Sequence, residues 1–484
     1  MADVLITGGT IITMDPLRSV IADGAVAIEA DRIIAVGSRE EVVKSHSATT
    51  VIDARQKVVL PGLIDTHGHA GHGLVKTLGG GYSDVWARSA DKIYAEFTTE
   101  EFWYAESLLT NLERLKFGVT CGLTFFGGGT MVMRSDDPGF GDRHCEALSQ
   151  VGIREVLVVG ASNPPYPRNY TIWGDSGPSN RSVSFEDQLA TTETLINRWH
   201  TQASGRLQVA VMHPVYKPGA RTGEKSSLEI IKSQAKAARS LSKKHDLLFT
   251  QDGHSRGTVK FAHQKLDILG PDALLSHSTG LTDEEIRICA ETGTVIVHNP
   301  SSAASYVARC PVPELIDAGV TVTLGSDGTA PDRSYDMFRH MFQCMRHHRA
   351  HYRDANYMPP GKVLEMVTID AARGLGMEGE IGSIEKGKKA DLILIDMFKP
   401  HLYPFDMPVH RVVNFANGND VDTVMVDGVI LMEHRKVFSV DETKALQMAQ
   451  RESDLMLDRS GFQALTEIPE GFWGRARLPE RRLP

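Results

Sequence analysis

Leu63-Ile64-Asp65-Thr66-His67-Gly68-His69, entered through Pro61-Gly62, is an apolar run that closes on two histidines. Side chains two apart on a strand share a face, so His67 and His69 can reach one point together at the strand's end. Convergent imidazoles are what a divalent metal needs from its first two ligands. Further apolar runs follow at 119–125, 154–160, 207–213, 246–251, 272–277, 294–298 and 320–326. Helical stretches fall between them, at 99–117, 185–203, 225–244 and 282–293. The last opens Thr282-Asp283-Glu284-Glu285, an N-cap followed by acids in the first turn. Strands alternating with helices predict an α/β fold, a parallel (β/α)8 TIM-like barrel over residues 61–380. A doubly wound sheet is the other topology, but no Gly-x-Gly-x-x-Gly follows a strand to support a dinucleotide site.

The two ends have a different texture. Residues 1–60 read as short strands (Val4-Leu5-Ile6, Thr10-Ile11-Ile12, Ala25–Ile28, Ile33–Val36 and Val51-Ile52) punctuated by Gly8-Gly9, Asp15-Pro16 and Asp23-Gly24. Residues 381–440 carry Ala390–Ile395 and a run through Val421–Ile430 that folds at Asp427-Gly428 as a hairpin. The expectation is one small β-sandwich built from both termini, then a C-terminal helix and tail over 441–484. Glycine runs at 79–81 and 127–129 read as turns in strand-to-helix loops.

The chain has 484 residues, 41% hydrophobic and 23% charged, a globular balance. Its net charge of −9 argues against a nucleic-acid or anionic-membrane partner. The arginines at 475, 477, 481 and 482 read as a solvated tail. No apolar stretch approaches the roughly 20 residues of a membrane span, and the first residues carry no basic, then apolar, leader. The five cysteines are scattered without Cys-x-x-Cys spacing, as expected of reduced thiols in a cytoplasmic protein.

Barrel enzymes place their chemistry at the C-terminal ends of strands. That rule leaves His67 and His69 after strand one, Asp252 and His254 after strand five, His277 after strand six, His298 after strand seven and Asp327 after strand eight. A catalytic zinc keeps an open position for water and lowers the pKa of that water toward neutrality. Asp327 can ligate the metal and accept the water's proton, while His277 steadies charge developing on the substrate. Each histidine also has a plain reading as a hydrogen-bonded structural group, and for His298 the two weigh evenly. His340, His347, His348 and His351 read as the solvated face of a helix, and His72 and His144 as loop histidines, His72 close enough to His69 to touch substrate. Tyr82, Trp86, Phe125, Phe126, Tyr166, Tyr170 and Trp173 lie in the expected mouth loops, as ring-stacking or packing residues.

These residues and spacings resemble the amidohydrolase superfamily, nearest its branch of atrazine chlorohydrolase and the methylthioadenosine/adenosylhomocysteine and guanine deaminases. The markers are Gly8–Asp15, Val59–His69, Ser276-His277, Val297–Ser302, Leu324–Gly328 and Gly379–Leu392. The resemblance implies a barrel with a terminal β-sandwich and one zinc or iron held by His67, His69, a strand-five histidine and Asp327. It implies His277 as a substrate-polarising residue and a homo-oligomer, dimer or larger. Strand four ends Ala210-Val211-Met212-His213 without a lysine to bridge two metals, which disfavours a binuclear site.

Strand five departs from the pattern. The family shows a ligand histidine followed three residues later by a proton-shuttling glutamate; here the run is Gln251-Asp252-Gly253-His254. Aligned by strand, Gln251 takes the ligand's place and His254 the glutamate's; aligned by residue type, His254 is the ligand. Because an amide oxygen is a poor zinc donor, the expected set is His67, His69, His254 and Asp327. Asp327, His277 and His254 then carry the chemistry, and Trp86, Gln251 and His298 touch the substrate. The expected reaction is hydrolytic deamination of a planar amino-substituted N-heterocycle by metal-activated water. The alternatives are hydrolysis of a C–Cl, C–N(alkyl), or cyclic amide, urea or carbamate bond on the same site, and a catalytically silent metal-binding scaffold.

Overall fold

The computed structural model describes residues 2–80, 82–127, 132–174, 176–216, 228–305, 308–474 and 476–478. The glycines at 81, 128 and 129 and the arginines at 475, 481 and 482 lie outside the described residues.

Barrel strands one to eight are Leu63–His69, Val119–Phe125, Arg154–Gly160, Leu207–Met212, Phe249–Gln251, Ala273–Ser276, Val295–His298 and Val322–Leu324. They pair in chain order, each parallel to the next. Strands buried on both faces read as continuous apolar runs, which is why these segments are visible in sequence. Strand eight meets strand one through the Thr66 and Thr323 hydroxyls, 2.7 Å apart, and the Asp327 amide donates to the His67 carbonyl at 2.8 Å. The barrel therefore brings the ends of strands one and eight, with His67, His69 and Asp327, together.

Strands from both termini form a second, nine-stranded sheet. Ala2–Ile12 lies between Val20–Glu29 and Lys57–Pro61, and Lys57–Pro61 pairs antiparallel with Leu392–Asp396, Leu60 opposite Ile393. The sheet has its own apolar cluster, including Ile6, Ile11, Val26, Ile28, Leu392 and Leu394. The Arg154 guanidinium, at the start of strand three, donates to Asp391 at 2.6 Å and ties the sheet to the barrel. Asp427-Gly428 is the expected tight turn, both residues left-handed. Helix Glu442–Ser460 packs on helix Glu100–Lys116 of its own barrel, with Lys116 Nζ 2.7 Å from Glu442.

After strand three the chain adds a hairpin, Arg168–Gly174 paired with Gly177–Val183. The sequence reading placed only a loop there. Among the described residues, no helix is long and apolar enough to cross a membrane.

Candidate metal centre

His67 and His69 end strand one inside the barrel mouth, their rings edge to face with centroids 5.0 Å apart. The His69 Nδ1 lies 3.1 Å from the Gly127 carbonyl, so Nδ1 carries the proton and donates, leaving Nε2 turned inward. The loop after strand eight brings Asp327 against them, Oδ1 standing 3.3 Å from His69 Nε2 and 3.7 Å from His67 Nε2. Asp65, buried in the same strand, fixes that loop by accepting from the Ser326 amide at 2.9 Å and from Arg114 at 3.0 Å. Close approach also requires Gly325 and Gly328. A Cβ on the first would stand 2.6 Å from that of His67, and one on the second 1.7 Å from His72 Nδ1.

Asp252, just past the end of strand five, is the second carboxylate. Its Oδ1 lies 3.3 Å from His67 Nε2 and 3.0 Å from His277 Nε2, and its Oδ2 lies 3.6 Å from His69 Nε2. Two overlapping groups result, each with its donor atoms within 4.8 Å of one another: His67, His69 and Asp327, and His67, Asp252 and His277. Left-handed backbone gathers here. His277 and Asp327 adopt φ of 65° and 64°, and the neighbouring Ser278 one of 46°. Left-handed non-glycine residues cost on the order of 1–3 kcal/mol each and persist where the surroundings impose them.

Burial opposes charge on Asp252 and Asp327, yet both carboxyls are held well below the usual range. His67 and His277 do this for Asp252; Arg333, with His69 and His277, does it for Asp327. His277 moves the other way: burial disfavours its cation, but the bond to Asp252 and the charge of Asp327 raise it above the ordinary value. His67 is lowered by burial, against the opposing pull of Asp252 and Asp327. Its buried Nε2 has no hydrogen-bond partner. Two imidazoles and two carboxylates around an unsatisfied nitrogen fit a divalent cation.

The other expected residues fall elsewhere. His254 is in neither group: its Nδ1 is 2.9 Å from the Thr258 hydroxyl, and burial pushes its ring down to about 3. Asp252, one residue past the short strand Phe249–Gln251, is the residue of this segment that lies beside His67 and His277. Gln251 spends its amide on the His213 and Pro214 carbonyls, at 3.2 and 3.0 Å, and faces strand four. His298 is buried beside His348 and belongs to neither group. Trp86 packs edge-on to His72, centroids 5.1 Å apart, and His72 stacks on His69 at 5.1 Å. Tyr166, Tyr170 and Trp173 donate to the carbonyls of Ser162, Met133 and Glu96, which marks them as packing residues. Sequence reasoning passed over Arg333, whose Nη1 is 3.6 Å from Asp327 Oδ2; only its nearness in sequence to Asp327 could have suggested it.

A metal-dependent hydrolase built on a (β/α)8 barrel is the class that this fold and this centre define. The chain belongs to the amidohydrolase family, whose model matches residues 58–431. The 5'-deoxyadenosine deaminase of Methanosarcina mazei is 32% identical over 470 residues, covering 95% of this chain and 99% of its own. The 5-methylthioadenosine/S-adenosylhomocysteine deaminase of Syntrophobacter fumaroxidans is 31% identical over 451 residues, covering 92% and 96%. Among solved structures, an adenosine deaminase from Xanthomonas campestris with bound zinc superposes with a TM-score of 0.80 at 21% identity, over 94% of this chain and 99% of its own. Atrazine chlorohydrolase from Arthrobacter aurescens TC1 complexed with zinc gives 0.75 at 19%, over 94% and 100%. These two share the fold.

Proposed function

We propose that this chain is an aminohydrolase that replaces the exocyclic amine of a planar N-heterocycle, of the adenosine type, with oxygen and releases ammonia. The observation that carries the reading is the convergence of His67, His69, Asp252, His277 and Asp327 at the C-terminal mouth of the barrel. Full-length relatives that deaminate adenosine derivatives support the substrate class.

His67, His69, Asp252 and Asp327 would hold the metal, and the zinc in the solved neighbours supports zinc. Such a cation, when bound, makes water acidic enough to attack at neutral pH. Asp327, ionised and beside Arg333, accepts the water's proton and returns one to the departing amine. His277, charged against Asp252, donates toward the ring atom that gains electron density. Trp86 and His72 border the place where the ring lies. Five buried, unpaired cysteines support a reducing, cytoplasmic setting.

One observation favours a second reading, release of chloride, an alkylamine or a cyclic amide from the same centre. Strand five offers no glutamate, and His254, three residues beyond Gln251, is held neutral. A leaving group needing less protonation tolerates that arrangement. The test is ammonia release from zinc-loaded protein with adenosine, 5'-deoxyadenosine, aminopyrimidines, aminotriazines and aminopterins. Ammonia from an adenosine derivative is expected. Silence across the panel, with metal present in the centre, overturns deamination in favour of the second reading.

A further inference from the structure

Helix Met337–Tyr352 reads in sequence as a solvated histidine-rich surface; His351 is exposed and His347 half-buried, but the structure corrects the reading for His340 and His348. His340, Cys344 and His348 are buried, at 1%, 0% and 1% exposure. Cys344 and His348 are one turn apart on the helix and share a face. That face meets His298, at the end of barrel strand seven, with the His298 and His348 rings 5.6 Å apart at an interplanar angle of 57°.

Neither nitrogen of His298, and neither nitrogen of His348, has a hydrogen-bond partner, although both rings are buried. An unsatisfied buried polar group costs on the order of 1–3 kcal/mol. A structural histidine recovers that cost through a hydrogen bond, and these two do not. One nitrogen from each ring and the Cys344 sulfur lie within 4.8 Å of one another. Tetrahedral zinc at ordinary Zn–N and Zn–S lengths needs such donors about 3.3–3.6 Å apart, a side-chain adjustment away.

We propose that His298, Cys344 and His348 form a second metal site, distinct from the centre at the barrel mouth, that takes a borderline-soft divalent cation such as Zn2+. The thiol gives up its proton on binding, and with the two neutral imidazoles it supplies three of the four tetrahedral positions. The bound ion would staple helix Met337–Tyr352 to the end of strand seven.

The two sites differ in one chemical respect that makes the test selective: the mouth centre offers only nitrogen and oxygen donors, and this one contains sulfur. Metal-free protein is titrated with Co2+ while bound metal is counted and the near-ultraviolet spectrum recorded. A thiolate-to-cobalt charge-transfer band is expected in the wild type. Cys344→Ser is expected to lose the band and one equivalent of cobalt while keeping the mouth equivalent. His348→Gln serves as a second variant should the serine substitution fail to fold, and is expected to lower cobalt affinity at this site by tenfold or more. A wild type that saturates without the band overturns the proposal, as does a band that survives in Cys344→Ser. Loss of the mouth centre would leave the band in place, so failure there is told apart from failure here.

Discussion

Asp252 Oδ1 stands 3.0 Å from His277 Nε2, so the carboxylate that follows strand five is joined to the histidine that follows strand six. The same carboxylate reaches both histidines of strand one. It occupies the position for which sequence alone proposes an imidazole.

Asp252→Ala is therefore expected to lose metal and turnover together, and His254→Ala to keep both. The loss should exceed the roughly 10–100-fold typical of removing a group that only orients a ligand. Metal analysis beside steady-state rates decides it. Full metal in Asp252→Ala with depletion in His254→Ala would restore the imidazole.

Asp327→Asn keeps the shape of the side chain and removes the base. Turnover should fall by about 10²–10⁴-fold, the range for a positioned proton acceptor, even in preparations that retain metal. Near-native kcat would exclude Asp327 from the proton transfer. His67→Ala, by contrast, is expected to remove the metal itself.

Gly328→Ala would press a methyl group against His72, 1.7 Å from its Nδ1. Overpacking of this kind costs about 1–3 kcal/mol, and because His72 stacks on His69 the strain should also reach the centre. Thermal unfolding and kcat should both drop. An unchanged Tm would mean that the loop relaxes freely.

His213, buried at the end of strand four, is pushed by burial from the ordinary 6.5 down to about 4. The unfolded chain then binds a proton that the folded one refuses. The stability this group contributes is complete above pH 6.5 and is lost as pH falls from there toward 4, at about 1.4 kcal/mol per pH unit. Denaturant midpoints should decline from about pH 7 to about pH 4.5, and less steeply in a folded His213→Gln variant. Parallel declines in the two would assign the slope to other groups.

The eight strands were legible because each is buried on both faces and closes on a turn; the expected runs 119–125 and 154–160 have the bounds of Val119–Phe125 and Arg154–Gly160. The convergence of His67, His69, His277 and Asp327 was legible from their place after such runs. Asp252 was harder, because strand five is three residues long and alternation cannot choose among the four residues that follow Phe249-Thr250. The hairpin over 168–183 was missed since most of its second strand is exposed and carries no apolar alternation. The helix at 337–352 misled for the opposite reason. Histidine and arginine look polar in sequence, but the helix is packed by helices Pro300–Ser305, Pro360–Glu365 and Pro408–Phe415, and its buried histidines turn inward.

The pairing of Lys57–Pro61 with Leu392–Asp396 has a consequence for synthesis. The strand that leads directly into the barrel finishes its ladder with a segment some 330 residues later in the chain. A ribosome adding about 5–20 residues per second needs roughly 17–66 s to cover that span. Throughout that interval the nascent N-terminal strands present an unpaired edge, the kind of surface on which chains aggregate. Translation rate and chaperone supply should therefore govern how much of this protein reaches its native state, independently of how stable that state is.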